Sequence, residues 1–340
     1  MENMKHENNF RVLVMNPSFI LTLLVVVSCS IDIAVSNDAL YETVSKHGQL
    51  SVVGTQIVNQ NGSPVQLKGV GLAWSIWWSQ YYNAATVRGV HVGCHSNIIR
   101  AALSVGTNDG GYLRDPAGQL ALIETVIEAA IQQDMYVLVD WHEVDNDIHL
   151  SEAKVFFDTI SKKYGRYPNI IYETYNEPVQ ISWSQILKPY HEAVIATIRA
   201  NDPNNIIVLG TPNYSQQVDQ AAADPVTSSK NIMYTLHYYA GTHKQWLRDT
   251  AQGALDKGLP IFVTEYGTVN ADATGPIDYA ESQLWWDWLD RNYMSYVNYD
   301  ISDKPSEDAS VLVPGTTPDQ VCQEAYLTTS GKLVVAQNSK

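Results

Sequence analysis

The sequence is poor in basic residues, in phenylalanine and in cysteine. Its 340 residues include 21 Lys and Arg against 36 Asp and Glu, for a formal net charge of −15. A chain this acidic repels phosphate-rich surfaces, which argues against nucleic acid and anionic membranes as partners. The aromatic residues comprise 20 Tyr and 9 Trp but only 5 Phe. Most aromatic rings therefore carry a polar group that suits partly hydrated surfaces.

The first of the three cysteines lies in an apolar N-terminal run. Lys5 and Arg11 precede Phe19–Cys29, which has about the length of the hydrophobic region of a secretion signal, and small residues follow it. We therefore expect residues 1–36 to be a signal peptide and the protein to be secreted and extracellular, with an uncleaved signal anchor as the alternative. Removal of the signal leaves Cys94 and Cys322, and the sequence does not decide whether they pair.

The chain also lacks Pro/Ser/Thr-rich linkers, appended modules and visible internal repeats. Its composition, 45% hydrophobic and 17% charged, provides ample material for one core. We expect residues 37–50 to be a short polar tether and residues 51–338 to form one catalytic domain.

From residue 51 onward, short β-branched apolar runs alternate with longer helical patterns. The predicted strands are Val65–Gly71, Asn97–Leu103, Tyr136–His142, Ile170–Glu177, Ile206–Thr211, Ile232–Ala240, Pro260–Gly267 and Tyr293–Ser302. The predicted helices are Ala84–Val92, Ala117–Gln133, Ser151–Lys163, Trp183–Ala200, Gln216–Ala223, Lys244–Lys257 and Tyr279–Asn292. Eight such units predict an α/β fold, a single closed (β/α)8 TIM barrel, rather than a doubly wound sheet. A small N-terminal β-hairpin is expected at Gln49–Val65, with its turn at Asn61-Gly62.

Five of the predicted strands deliver a charged or imidazole side chain to the end where a barrel builds its active site. These side chains are Arg100 on the second strand, His142 within Asp140-Trp141-His142 on the third, Glu177 beside Asn176 on the fourth, His237 with Tyr239 on the sixth, and Glu265 on the seventh. Each residue alone is more often structural. Five together at one rim are hard to explain in that way.

Two glutamates at strand ends suit cleavage of a glycosidic bond, in which one carboxyl donates a proton and the other is ionised. Arg100 would keep Glu265 ionised. Glu177 is the better proton donor because neutral and aromatic residues flank it in the sequence, namely Asn176, Tyr172 and Tyr175.

Two other chemistries are less well supported. His142, His237 and either glutamate could line a cation site, but no H-x-H or H-E-x-x-H spacing occurs, and Glu143 should point away from His142 along a strand. No G-x-S-x-G motif supports a serine hydrolase.

Aromatic residues after several strands could stack on sugar rings. They are Trp74, Trp77 and Trp78 after the first strand, Tyr112 after the second, Tyr214 after the fifth and Tyr299 within the eighth. Trp285, Trp286 and Trp288 are instead expected to pack a helix onto the barrel.

These motifs together resemble glycoside hydrolase family 5, especially secreted cellulases (endo-β-1,4-glucanases) of bacteria and plant-feeding invertebrates. The resemblance covers residues 50–335. It rests on L-K-G at 67–69, I-I-R-A-A at 98–102, V-D-W-H at 139–142, Y-P-N-I-I-Y-E-T-Y-N-E-P at 167–178, N-D-P-N-N-I-I-V-L-G-T at 201–211, L-H-Y-Y-A-G-T-H at 236–243 and I-F-V-T-E-Y-G-T at 261–268.

The resemblance implies a retaining mechanism with Glu177 as acid/base, Glu265 as nucleophile and carboxyl groups about 5–5.5 Å apart. It further implies that Arg100 and Tyr239 hold the nucleophile, and that three residues bind the reacting sugar or tune the carboxylates: His142, Asn176 and His237. No metal or organic cofactor is needed, and the partner is a β-glucan polysaccharide or oligosaccharide bound by a monomer.

The sequence departs from the family at its aromatic rim. Tyr299 stands where relatives usually have the Trp under the reacting sugar, Tyr214 and Tyr266 also replace common aromatics, and the region of Lys304, a further candidate for substrate contact, is one residue longer. Two alternatives therefore stay open: a non-catalytic glycan-binding barrel, and a retaining hydrolase of mannan or xylan.

Overall fold

The computed structural model describes residues 43–340. The predicted signal peptide and the first part of the predicted tether lie outside the described residues. Residues 44–50 of that tether pack under the barrel, where the short helix α1 (Val44–His47) begins with a bond from Val44 N to the carbonyl of Asp134 (3.1 Å) and Leu50 is fully buried.

A two-stranded hairpin, β1 (Ser51–Val53) and β2 (Gln56–Val58), precedes the barrel as expected. The predicted turn position was wrong. The hairpin turns at Gly54-Thr55, where Gly54 has φ +61°, a left-handed conformation that glycine adopts without strain. Asn61-Gly62 forms the next turn, closed by a bond from Gly62 N to the carbonyl of Asn59.

Eight parallel strands close into a barrel, which confirms the predicted (β/α)8 fold. Their neighbours around the barrel follow the chain, from β3 to β10 and back to β3. In chain order the strands are β3 (Lys68–Leu72), β4 (Ile98–Ser104), β5 (Tyr136–His142), β6 (Ile170–Glu173), β7 (Ile206–Leu209), β8 (Ile232–Tyr239), β9 (Ile261–Gly267) and β10 (Tyr296–Ile301).

Helices surround the strands. They are α2 (Ala84–Val92), α3 (Pro116–Gln132), α4 (Leu150–Tyr164), α5 (Lys188–Arg199), α6 (Val218–Ala223), α7 (Gln245–Asp256), α8 (Tyr279–Arg291) and α9 (Thr329–Asn338). Helix α9 was not predicted, and the expected helix Trp183–Ala200 begins with a π-helical turn, Trp183–Leu187. Trp285, Trp286 and Trp288 on α8 are buried in the layer between helices and strands, as expected.

The cysteines left open by the sequence, Cys94 and Cys322, form a disulfide. It joins the end of α2 to the segment before α9, at the end of the barrel opposite the carboxyl ends of the strands. Between residues 43 and 340, no helix combines the length and apolar character that crossing a membrane requires.

Candidate active site

Glu265 lies near the end of β9, buried and held by two neighbours. Arg100 Nη1 donates to Glu265 Oε2 (2.8 Å), and the Tyr239 hydroxyl donates to Oε1 (2.7 Å). Burial alone would raise the pKa of the Glu265 carboxyl, but the charges of His237, Arg100 and His142, together with the Tyr239 hydrogen bond, lower it. Glu265 is therefore ionised near neutral pH, which a nucleophile requires.

The sequence had indicated that Arg100 ends its strand. It is instead the third residue of β4. Its long side chain reaches the mouth of the barrel and bonds several partners at once. Besides Glu265, they are Glu173 (2.8 Å), Asp140 (3.0 Å) and Asn176 (2.5 Å). Although burial opposes its charge, these carboxylates raise the pKa of the Arg100 guanidinium well above its usual value.

Glu173, the last residue of β6, is a site residue that the sequence analysis missed. It is fully buried, accepts from Arg100 Nε and from the Thr235 hydroxyl (3.2 Å), and lies 3.9 Å from His237 Nε2. Burial would raise its pKa, but Arg100 and His237 outweigh that effect and lower the pKa to about 2. The signal in the sequence is the first glutamate of E-T-Y-N-E, which lies inside the predicted strand Ile170–Glu177.

Strand β6 ends at Glu173 rather than at the predicted Glu177. The segment that follows bonds to the end of β5 and to the loop after it. Asn176 N donates to the carbonyl of Trp141 (3.1 Å) and Glu177 N to that of Glu143 (3.0 Å). The Glu177 side chain, 17% exposed, thus faces the mouth of the barrel from a loop.

His237 is the side chain that contacts Glu177. Its Nδ1 lies 2.9 Å from Glu177 Oε1, and its Nε2 lies 2.9 Å from Thr264 Oγ1. Burial would lower the pKa of His237, but Glu265, Glu173 and Glu177 together raise it to about 9. The imidazole is therefore protonated at neutral pH and donates to Glu177.

Tyr172 and Tyr175, which flank Glu177 in the sequence, direct their hydroxyls away from its carboxyl. The Tyr172 hydroxyl donates to Asp202 (2.8 Å), and the Tyr175 hydroxyl contacts backbone carbonyls of the loop after β5. Both rings are fully buried.

His142 ends β5 beside the nucleophile. Its Nδ1 lies 2.6 Å from Asp140 Oδ2, and its ring meets the edge of Trp74 at 4.4 Å between centroids. Burial raises the pKa of Asp140 to about 6, even though Arg100 pulls it down. This bond fixes the orientation of the His142 ring against Trp74.

One oxygen of Glu177, one nitrogen of His237 and one oxygen of Glu265 all lie within 4.8 Å of one another. Within residues 43–340, these three side chains are the set whose spacing could hold a cation. Their donor atoms already bond one another, Thr264 and Arg100. The arrangement can deliver a proton and a nucleophile to one bond.

The candidate aromatics surround this centre unevenly. Trp74 lies 5.1 Å from Trp77, Tyr299 lies 6.4 Å from Tyr239, and Tyr214 is 41% exposed beside the Glu177 segment, bonded through its N–H to the carbonyl of Pro178. Lys304 Nζ is 3.4 Å from Glu307 and 5.9 Å from the centre of the Trp78 ring.

Tyr112 is the candidate that the structure does not bring to this group. Its side chain is 5% exposed and packs against Trp141 and Phe156 between barrel and helices.

Comparison with known proteins identifies similar sequences and structures. The family model for Cellulase (glycosyl hydrolase family 5) matches residues 58–305. Endoglucanase Z of Dickeya dadantii is 46% identical over 76% of this chain and 60% of its own length, and an endoglucanase of Clostridium saccharobutylicum is 42% identical over 86% and 65%. This chain thus spans roughly 60% of the length of these curated relatives.

A solved structure gives a view of a bound ligand. The catalytic domain of Thermobifida fusca endoglucanase Cel5A, as a variant in complex with cellotetraose, superposes with a TM-score of 0.81 at 29% identity. The match covers 88% of this chain and all of that one.

Proposed function

This chain belongs to glycosyl hydrolase family 5, and from that membership we propose that it is a retaining endo-β-1,4-glucanase, a cellulase that hydrolyses internal β-1,4-glucosidic bonds of cellulose or related β-glucans. The observation that carries the proposal is the approach of Glu177 and Glu265 to within 4.8 Å at one pair of oxygens. Retaining enzymes hold their carboxyls about 5–5.5 Å apart, whereas inverting enzymes need roughly 6.5–9.5 Å for a water molecule.

The first step places each carboxyl in a defined role. A Glu265 oxygen attacks the anomeric carbon while Glu177 gives its proton to the departing glycosidic oxygen, so that a glycosyl ester and a free chain end form. Arg100 and Tyr239 hold Glu265 in line, and Tyr299 and Trp74 lie where sugar rings can stack.

The second step reverses the proton flow. Glu177, now a carboxylate, takes a proton from water, whose oxygen attacks the anomeric carbon and releases Glu265. Esterification removes the negative charge of Glu265, one of the causes that raise the pKa of His237. Esterification therefore lowers the pKa of His237, and less positive charge lies beside Glu177 at the stage when Glu177 must act as a base.

Two further parts of the proposal concern the whole chain. Residues 1–36 act as a signal peptide, so that the catalytic domain, residues 51–338, meets its polysaccharide outside the cell as a monomer. The acidic composition and the similarity to endoglucanases support this placement. N-terminal sequencing of secreted protein tests it, and an intact leader would contradict it.

The activity is tested by reducing-end release from carboxymethylcellulose, mannan and xylan, alongside product analysis on cello-oligosaccharides. We expect turnover of the β-1,4-glucans, with the β-anomer formed first by NMR, and a loss of roughly 10³-fold or more in Glu265→Gln, since the reaction cannot proceed without its nucleophile. Binding without turnover on every glycan would favour the non-catalytic alternative. Preference for mannan or xylan would reassign the substrate.

A further inference from the structure

The segment that carries Glu177 rests on the loop between β5 and α4, residues 143–149, which we call the bracing loop. Glu177 N donates to the carbonyl of Glu143 (3.0 Å), and Val179 N donates to that of Asp145 (3.3 Å). The Tyr175 hydroxyl lies 3.2 Å from the carbonyls of both Asp145 and Asp147. The position of the Glu177 backbone therefore depends on the shape of the bracing loop.

The two ends of the bracing loop are tied by one side-chain contact. Glu143 Oε2 lies 3.1 Å from His149 Nδ1, and the Glu143 side chain is only 3% exposed. Glu143 therefore takes part twice: its carbonyl accepts from Glu177 N, and its carboxyl contacts His149 at the other end of the loop.

The Glu143 carboxyl has an unusual electrostatic setting. Burial and the charges of Asp145 and Asp147 raise its pKa to about 8. Tyr175 and Tyr190, which approach from the segment after β6 and from α5, are both neutral because burial and neighbouring carboxylates raise their pKa well above the usual range. His149 is the basic group in contact with Glu143.

We propose that Glu143 is a positioning residue for Glu177, one that in its protonated form closes the bracing loop through His149 and so sets where the proton donor meets the leaving group. The inference rests on the proposed function and adds a residue to it. When Glu143 loses its proton, a third negative charge enters a loop that already carries Asp145 and Asp147. Repulsion then loosens the loop and displaces the backbone of Glu177.

If Glu143 positions Glu177, its replacement should reduce kcat/KM on one substrate more than on another. General destabilisation of the fold would reduce both equally. Cello-oligosaccharides need proton donation to their leaving group, whereas 2,4-dinitrophenyl β-cellobioside releases a stable phenolate without it. In Glu143→Ala we expect kcat/KM on cello-oligosaccharides to fall about 10-fold, part of the roughly 10²–10⁴-fold that general acid catalysis contributes. On the dinitrophenyl substrate, kcat/KM should stay within about twofold of wild type, because Glu265, Arg100 and Tyr239 do not contact the bracing loop.

Glu143→Gln provides the conservative arm, since its amide is a neutral analogue of the carboxylic acid and can still donate to His149. Below pH 7 it should match wild type on both substrates. As pH rises through about 8, the ratio of its kcat/KM on cello-oligosaccharides to that of wild type should increase, because only wild type gains the charge. Glu152→Gln, the same change at an exposed position on α4, is the matched control and should leave this ratio flat.

Equal losses on both substrates in Glu143→Ala, or a flat ratio between Glu143→Gln and wild type across pH 6–9, would overturn the inference while leaving the proposed function intact. If Glu143→Ala does not fold, the pH dependence of the kcat/KM ratio between Glu143→Gln and wild type tests the inference by itself. A wild-type protein that cleaves neither substrate would instead overturn the proposed function, and this inference with it.

Discussion

Arg100 shows how much the site depends on single residues. This one guanidinium contacts Glu173, Asp140 and Glu265, all buried. A buried cluster of charges is weak evidence for stability, because desolvation of each ion costs about as much as the pairing returns. Its benefit here is chemical: it keeps Glu265 ionised in a place from which water is largely excluded.

Tyr239→Phe tests this arrangement at the nucleophile. The Tyr239 hydroxyl is one of the groups that lower the pKa of Glu265, so its removal should raise that pKa. We expect kcat/KM on cello-oligosaccharides to fall roughly 10-fold, the range for a lost hydrogen bond to a charged group. The acidic limb of the pH profile should move to higher pH, because Glu265 is then protonated more readily.

The neighbouring Tyr238 offers a matched control. Its hydroxyl is buried and has no hydrogen-bond partner among the described residues, and its ring stacks on Trp285 in the layer behind the strands. Tyr238→Phe should therefore leave the pH profile unchanged. An unshifted acidic limb in Tyr239→Phe, or an equal shift in both variants, would contradict the role given to the Tyr239 hydroxyl.

At the scale of elements, the sequence predicted most barrel strands because each combines a buried apolar run with a clear end. Strand β5 has the predicted bounds, Tyr136–His142, since every residue in it is buried and Glu143 follows. Helix α9 was missed because its buried face is mostly not apolar. Beside Val334 it carries Ser330, Gly331, Gln337 and Asn338, so no apolar periodicity marks it.

The predicted end of the fourth barrel strand was wrong, because the chain leaves regular structure there. Glu173 and Glu177 are four residues apart in E-T-Y-N-E, and the strand pattern assigned both to one strand. The strand ends at Glu173, and the segment after it bonds to the end of β5 and the loop that follows β5. Glu173 therefore lies deep beside Arg100, while Glu177 reaches His237. Such contacts between loops distant in sequence have no local signal.

The disulfide makes a prediction at this scale. Cys94→Ala with Cys322→Ala should lower the free energy of unfolding by about 2–4 kcal/mol, because the bond closes a loop of 228 residues in the unfolded chain. Denaturation with and without reductant measures the loss. Activity at 25 °C should be unchanged, since the bond lies at the opposite end of the barrel from Glu265. A large loss of activity in a folded variant would show that the two ends are coupled.

At the scale of the whole molecule, the buried groups of the site make stability depend on pH in both directions. The pKa of Glu173 is lowered from 4.5 to about 2. Its contribution to stability is therefore fully present above pH 4.5 and is lost as pH falls through 2. His237, raised from 6.5 to about 9, contributes fully below pH 6.5 and loses its contribution as pH rises through 9. The pKa of Glu143 is raised to about 8, so its effect on stability, like that of His237, becomes less favourable as pH rises.

The melting temperature should therefore fall by several degrees between pH 6.5 and 9, since the shift of His237 alone corresponds to roughly 3 kcal/mol. Calorimetry across this range measures it. Glu143→Gln should show a shallower decline below pH 8, because it carries no titrating carboxyl there, whereas Glu152→Gln should follow wild type. A melting temperature that stays constant from pH 6.5 to 9 would mean that His237 is not held as a cation between Glu173, Glu177 and Glu265. The hydrogen bond that we assign from a protonated His237 to Glu177 would then be wrong.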